Sequence, residues 1–312
     1  MTASTAIITS FDDGLSLRRL LNSVISSNVD RIVLMYGGEK TDRNYLTALK
    51  DDRLICEEEK ERLGKSESLN RSFKYAVGDL VFIVSGDISI ENNVFDRCVE
   101  AFSDDIGVIV PRVIPAPMGG IHGKIGRALW KLHDCELHYM SARNLNAHGG
   151  EFIAIRKKLL SDLPRIVNDD AYLCVSARNS GYRVVYRDDI NVTNELPGTL
   201  LDLFVQRIRI NFGHQELLKM KLDPLVMTTL IRTDRRTFFF HNDDVPEEIP
   251  GGNFYAARCM LHGKPCPVGG LAPLQEGKIL PQMAHSSQEL KMNAKISFVM
   301  WERDQLGILR YT

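Results

Sequence analysis

The side chains able to act on a phosphorylated substrate fall in a few short stretches. In Arg62–Asn70, RLGKSESLN, the residues Gly64, Lys65 and Ser66 read like the end of a phosphate-binding loop. That loop also needs a glycine five positions before its Gly-Lys pair. The position is Glu59 here, and Glu59 and Glu61 would repel a phosphate, so a P-loop is excluded. Asp87, in SGDISIENNVF, suits a metal or phosphate ligand, with a turn or cap aspartate as the alternative. Asp169 and Asp170 offer paired carboxylates for general-base chemistry, or a cap for the helix they precede. Gln206, Arg209 and Gly213 follow one another at i, i+3 and i+7, a stripe that suits either a polar ligand or solvent.

Alternating strands and helices must position these groups. Apolar runs predict strands at Ala6–Ser10, Arg31–Tyr36, Asp52–Cys56 and Leu80–Val84. Asp12 and Asp13 supply cap chemistry for a helix whose inner face is Leu17, Leu20, Leu21, Val24 and Ile25. A second helix is predicted from Ser66 to Ala76, closed by Gly78. Unbroken apolar strands between helices imply an α/β fold with a mostly parallel central sheet covered on both faces. In such sheets ligands sit beyond the carboxyl ends of the strands, where Asp87 falls. Residues 111–146 read as less regular, with a helix compatible with Ile125, Leu129 and Leu132. Beyond Gly149 come a short strand, a helix carrying Tyr172, Val175 and Ser176 and ending at Gly181, and a strand over Tyr182–Tyr186. Pro197-Gly198-Thr199 then opens a helix capped by Thr199, with Leu201, Phe204, Val205, Ile208 and Phe212 as its apolar face.

Composition excludes several classes. The chain has 312 residues with 39 Lys and Arg against 40 Asp and Glu, so no general electrostatic footprint for nucleic acid exists and no nucleic-acid partner is expected. No apolar run approaches a membrane span, and the N-terminus has no evident signal peptide. The scattered cysteines at 56, 98, 135, 174, 259 and 266 read as reduced thiols of a cytoplasmic protein. His122, His133, His138 and His148 lack tight metal-ligand spacing.

The order of these pieces is more specific than any one of them. G-K-S-x-x-L-N is followed by A-x-G-D and by a strand ending in an acidic loop. An acidic pair then precedes a helix ending at Gly-Tyr, and Q-R-x-R-x-x-x-G comes last. This order resembles the GT-A glycosyltransferases of family 2, among them the relatives of cellulose, chitin and hyaluronan synthases, over about residues 5–215. The resemblance implies a Rossmann-like GT-A catalytic domain over 1–215; it ends at about Glu216, and the C-terminal extension over 216–312 is expected, apart from the resemblance, to act as a lid or acceptor-binding region. It implies an inverting transfer from a nucleotide-sugar, UDP by default, to a hydroxyl on a glycan, lipid or small-molecule acceptor. By the same resemblance, Gly64, Lys65 and Asn70 lie beside the donor nucleotide; the family's base-recognising aspartate does not carry over, and Asp12 or Asp13, after the first strand, is expected to compensate in part. Ser85 and Asp87 match the metal-binding D-x-D motif, Asp87 holding Mg²⁺ or Mn²⁺ on the diphosphate. Asp170 matches the catalytic base, Asp169, Gln206 and Arg207 match acceptor-side positions, and Arg209 matches a diphosphate contact.

The departures are specific. Ser85 replaces the first aspartate of D-x-D, Asn168 and Asp169 replace Thr and Glu before the base, and Ile210 replaces a tryptophan. Tyr36-Gly37-Gly38-Glu39 stands where the family has Asp-Asp-Gly-Ser. Ser85 and Ile210 support the alternative of a non-catalytic nucleotide-sugar-binding or scaffold protein. A nucleotidyltransferase on a related sheet would need a basic Gly-rich loop near the N-terminus, which is missing. In the tail, Cys259, His262 and Cys266 are three of the ligands a zinc site needs, and His241 with Asp243 and Asp244 is a candidate to reach the donor metal.

Overall fold

The computed structural model describes residues 3–91, 93–145 and 147–224. The apolar runs become strands β1 (Ser4–Phe11), β2 (Arg31–Gly37), β3 (Leu54–Glu59), β4 (Leu80–Ser85), β5 (Ile88–Ile90), β6 (Ile106–Pro115), β7 (Phe152–Arg156) and β8 (Arg183–Asn194). They form one eight-stranded sheet in the order β3-β2-β1-β4-β7-β6-β8-β5. β3, β2, β1 and β4 run parallel, and so do β6 and β8. β7 is inserted antiparallel to both β4 and β6, and β5 is antiparallel to β8. The parallel sheet expected from the first half of the chain is therefore the N-terminal half of a mixed sheet.

Both faces are covered, which explains why the strands read as unbroken apolar runs. Alternate residues of β1 point to opposite sides: Ala6 and Ile8 to one, Ile7 to the other. The first face packs under α1 (Leu15–Ile25), α2 (Arg43–Ala48) and α4 (Val94–Ala101), through Leu17, Leu20, Leu21, Val24, Leu46 and Phe95. Its centre is an aromatic trio, Phe82, Phe95 and Phe152, with ring centroids 4.8 to 6.0 Å apart. The second face packs under α3 (Lys65–Phe73), α5 (Gly120–Ala142) and α6 (Asp169–Asn179), through Leu69, Leu137, Met140, Leu173 and Cys174. Each fully buried Leu, Ile or Phe contributes roughly 1.5–3 kcal/mol, so this two-sided core is what holds the loops at the sheet's end in register.

Several expectations change. α1 starts at Leu15 behind Gly14 with no side-chain cap, because the Asp12 carboxylate is taken by the Lys40 backbone N–H at 2.9 Å. The less regular region contains the 23-residue α5; its glycines and histidines hid a helix that tertiary packing stabilises. The third strand lies two residues later than predicted, and β8 is 12 residues long. The last described helix, α7 (Leu200–Lys219), is capped by Thr199 as expected, its side chain accepting from the Asp202 N–H. Its apolar face is not the one expected. Leu201, Val205 and Ile208 are exposed, and Leu203, Gly213, His214 and Leu217 are buried. The 3.6-residue period was right, but α7 docks on a neighbouring stripe. α7 runs unbroken through residue 215, and the tail cysteines and histidines lie outside the described residues.

Candidate active site

The carboxyl ends of β1 and β4 and the start of β7 meet at one end of the sheet. β7 is antiparallel, so its first residues arrive where parallel neighbours end. The loops after β1 and β4 touch at Gly86. A Cβ there would lie 2.4 Å from Asp13 Oδ2 and 2.6 Å from Ser10 Cβ, so only glycine permits the approach. Asp13 is thereby half-buried beside Asp87, and burial, then the Asp87 charge, push its carboxyl up to about 6 against hydrogen bonding from Ser10.

Lys65 is the hub of the cluster. It is the first residue of α3, whose N-cap is Gly64 at φ +95°. Its Nζ donates to the Gly150 carbonyl at 3.0 Å and to Ser85 Oγ at 3.4 Å, joining β4 to the entry of β7. The same Nζ lies 3.3 Å from Asp169 Oδ2 at the start of α6. That oxygen receives no aligned hydrogen bond, so the contact acts as a charge pair. Burial alone lowers the Lys65 ammonium, but the charges of Asp169, Asp170 and Glu151 outweigh it and leave it raised. Asp169 is raised by burial, with Lys65 opposing and Asp170 adding.

Asp87 and Asp170 share their surroundings. Glu151, just before β7, is raised by burial and feels both Asp170 and Asp87, with His133 and Lys65 pulling the other way. Asp87 opens to solvent on one side yet is raised by burial on the others; Lys65 and Arg209 of α7 hold it down, and Glu195 pushes it up. Asp170 is half-buried, with its carboxylate close to Gly150.

Two supports fix the acidic pair. Asn70 grips the Leu163 backbone with both ends of its amide, donating to the carbonyl at 2.9 Å and accepting from the N–H at 2.7 Å. Ser66 Oγ donates to the Ile166 carbonyl at 2.7 Å. From the other side, Glu216 accepts the Val167 N–H at 3.0 Å, and Asn168 donates to the Ile210 carbonyl at 2.9 Å. The Asn168 amide fills the space that a side chain at Gly213 would need.

The structure thus brings Asp13, Lys65, Ser85, Asp87, Asp169, Asp170 and Arg209 to one place. Gln206 accepts from Arg207 at 3.2 Å. Asn70 uses its side-chain amide on the Leu163 backbone, and Gly64 acts through its own carbonyl, which accepts from the Ser68 N–H. Glu151, Glu195 and His133 belong to the same cluster and were not foreseen. For Glu151 the available signal was its place after Gly149-Gly150 at a strand start, and its use required knowing that the strand runs antiparallel. Among the described residues no group of three or more His, Cys, Asp or Glu is arranged to hold a metal by itself, and no helix is long and apolar enough to cross a membrane.

A sheet of this form, with a cluster of carboxylates gathered at the end of its first strands, is the frame of the GT-A glycosyltransferases. The model of the family Glycosyl transferase family 2 matches residues 5–163, and the chain belongs to that family. Among solved structures, the mannosyltransferase PcManGT from Pyrobaculum calidifontis, in complex with GDP-Man and Mn2+, is 16% identical, with 98% of this chain and 84% of that chain covered at a TM-score of 0.57. Glucosyl-3-phosphoglycerate synthase from Mycobacterium tuberculosis is 16% identical, covering 69% of this chain and 79% of that chain at 0.48. S. aureus TarS 1-349, in complex with UDP-GlcNAc, is 13% identical, covering 83% and 81% at 0.48. No curated protein matches the chain.

Proposed function

We propose that this glycosyltransferase is metal-assisted and inverting, and that it moves a sugar from a nucleoside-diphosphate donor, UDP by default, to an acceptor hydroxyl. The observation that supports the reading is that β4, the entry of β7 and the start of α6 converge on Lys65, whose Nζ donates to Ser85 Oγ and the Gly150 carbonyl and lies 3.3 Å from Asp169 Oδ2, with Asp87 two residues beyond Ser85 and Asp170 next to Asp169. One carboxylate is open at the rim and its counterpart is held at a helix start.

Asp170 takes the proton of the acceptor hydroxyl as that oxygen attacks the anomeric carbon. The bond from that carbon to the diphosphate breaks, the electron pair leaves with the diphosphate, and attack from the opposite face inverts the configuration. Lys65 and Asp169 set where Asp170 sits. Arg209, whose charge acts on Asp87, is the diphosphate contact in this reading. Asp87 offers a single hard oxygen donor, which fits Mg²⁺ or Mn²⁺ drawing its other ligands from diphosphate and water. When bound, that cation stabilises charge on the leaving diphosphate.

The test is release of nucleoside diphosphate from a panel of UDP- and GDP-sugars with Mn²⁺. Asp170→Asn should cut transfer by about 10²–10⁴-fold with donor affinity nearly unchanged. Asp87→Ala should remove cation-dependent donor binding. Native-level transfer in both variants refutes the assignment. Cation-dependent binding without turnover in the native chain favours the scaffold alternative.

A further inference from the structure

We propose that Glu151 reads the transferred sugar, its carboxylate accepting hydrogen bonds from ring hydroxyls of the donor, and that Asn194 is the positioning residue behind it. The inference rests on the glycosyl-transfer reading above and extends it to how the donor sugar is chosen.

Contacts on both sides place Glu151 between the two aspartates of that reading. On one side its carbonyl accepts the Ser85 N–H at 2.9 Å, two residues before Asp87. On the other, its neighbour Gly150 lies against Asp170, where an added Cβ would be 3.5 Å from Asp170 Oδ2. The Lys65 Nζ bond to the Gly150 carbonyl, at 3.0 Å, fixes the same stretch of backbone. With the diphosphate at Asp87 and the attacking hydroxyl at Asp170, the anomeric carbon lies between them, since one of its bonds breaks as the other forms. The ring attached to that carbon therefore meets the entry of β7. Glu151 is the first side chain there beyond the Gly149-Gly150 pair.

The Glu151 side chain is oriented but not used up. Asn194 Nδ2 donates to its Oε1 at 3.2 Å, the one hydrogen bond to this carboxylate among the described residues. Glu151 is half-buried, so acceptor capacity remains for a ligand. An ionised carboxylate only accepts hydrogen bonds, and sugar hydroxyls are the donors that suit it.

Asn194 is kept in the interior at a cost. Ile190, Val192 and Asn194 follow at the two-residue spacing of a strand and are exposed by 0%, 1% and 4%. β8 thus turns an amide inward where the row is otherwise aliphatic. The Asn194 Oδ1 is buried without a hydrogen bond among the described residues, which lowers stability. An aliphatic side chain would avoid that cost and leave Glu151 loose. In register, Asn194 stands opposite Ile88, the residue after Asp87, and its carbonyl accepts the Ala116 N–H at 2.8 Å. The amide that orients Glu151 is therefore built on the strand paired with the Asp87 loop.

The full-length chain with Mn²⁺ is titrated by calorimetry with UDP, GDP and the UDP- and GDP-linked forms of glucose, mannose, galactose and N-acetylglucosamine. The monodeoxy forms of the tightest-binding sugar donor follow. Native, Glu151→Ala, Glu151→Gln, Asn194→Ala and the E151A/N194A chain are compared. In the native chain at least one deoxy donor should bind about tenfold more weakly than its parent, the effect of one hydrogen bond to a charged group. E151A should bring that ratio to within about twofold of unity, with affinity for free UDP or GDP nearly native. E151Q should lower the ratio in part, because hydrogen bonds to a charged acceptor are roughly twice as strong as neutral ones. N194A should lower it too, and E151A/N194A should match E151A. A merely structural asparagine would weaken every ligand alike and leave the ratio unchanged, which would overturn the role given to Asn194. An unchanged ratio in E151A and E151Q overturns the proposal. So does a loss of affinity for free nucleoside diphosphate as large as that for the sugar donor, which would put Glu151 on the cation. A native chain that binds no UDP- or GDP-sugar sinks the transfer reading and this inference with it. A native chain that turns over a donor while E151A keeps the native ratio sinks this inference alone.

Discussion

Replacing Lys65 by methionine removes the ammonium while keeping most of the side chain's bulk. At 3.3 Å from Asp169 Oδ2, two unit charges interact by about 5 kcal/mol at an effective dielectric constant of about 20. Desolvation of both groups offsets part of this, and Lys65 keeps about 29% of its side chain exposed while Asp169 keeps 5%. Breaking a buried pair costs about 3–5 kcal/mol, and the partial exposure of Lys65 places K65M near the lower figure. That corresponds to a fall in melting temperature on the order of 5–10 °C. The effect depends on pH. Burial raises the Asp169 carboxyl in the folded chain, so the folded state holds its proton more tightly than the unfolded state does. Stability therefore falls as pH rises from the unfolded-state value toward the folded-state one. Without Lys65 the folded-state value climbs further, so the K65M deficit is small in acid and grows toward neutral pH. Unfolding of native, K65M, Asp169→Asn and the double variant at pH 5 and pH 8 measures this as a double-mutant cycle. A coupling below about 0.5 kcal/mol, or a deficit equal at both pH values, refutes the argument.

Two further outcomes follow from the same cluster. Asp13 is pushed up to about 6 by burial first and by Asp87 second, so the native chain loses stability as pH rises from about 4 to about 6, by up to about 3 kcal/mol. Asp13→Asn should flatten that part of the stability–pH curve; an unchanged slope would show that Asp13 titrates normally. Asn70→Ala removes both hydrogen bonds to Leu163 and should cost about 1–3 kcal/mol, with transfer reduced more than donor affinity. A loss confined to donor affinity would instead place Asn70 on the nucleotide.

The parts of this site that were legible in the sequence are those whose meaning is local. Gly64-Lys65 opens a helix wherever it is placed, and Asp87 follows a strand end whatever the sheet's order. Thr199 caps its helix by a contact three residues away. What was illegible depends on pairing. Phe152–Arg156 reads as a strand, but nothing local says that it inserts antiparallel between β4 and β6. That one reversal carries Glu151 to the cleft, sets the Gly150 carbonyl on Lys65 and seats Phe152 against Phe82. The same holds for α7, where periodicity gave the helix and docking chose the stripe.

The reversal also bears on chemistry. Parallel strands alone would bring Asp13 and Asp87 to the sheet's end. They would leave the acidic pair at the start of α6 with no partner there. The entry of β7 supplies the carbonyl that holds Lys65 between Ser85 and Asp169, while α6 itself packs on β6 and β8. The relative placement of the β4 end that carries Asp87 and the α6 start that carries Asp170 thus follows from main-chain hydrogen bonds of the sheet, with Lys65 as the link. Perturbing Lys65 should therefore disturb transfer and stability together.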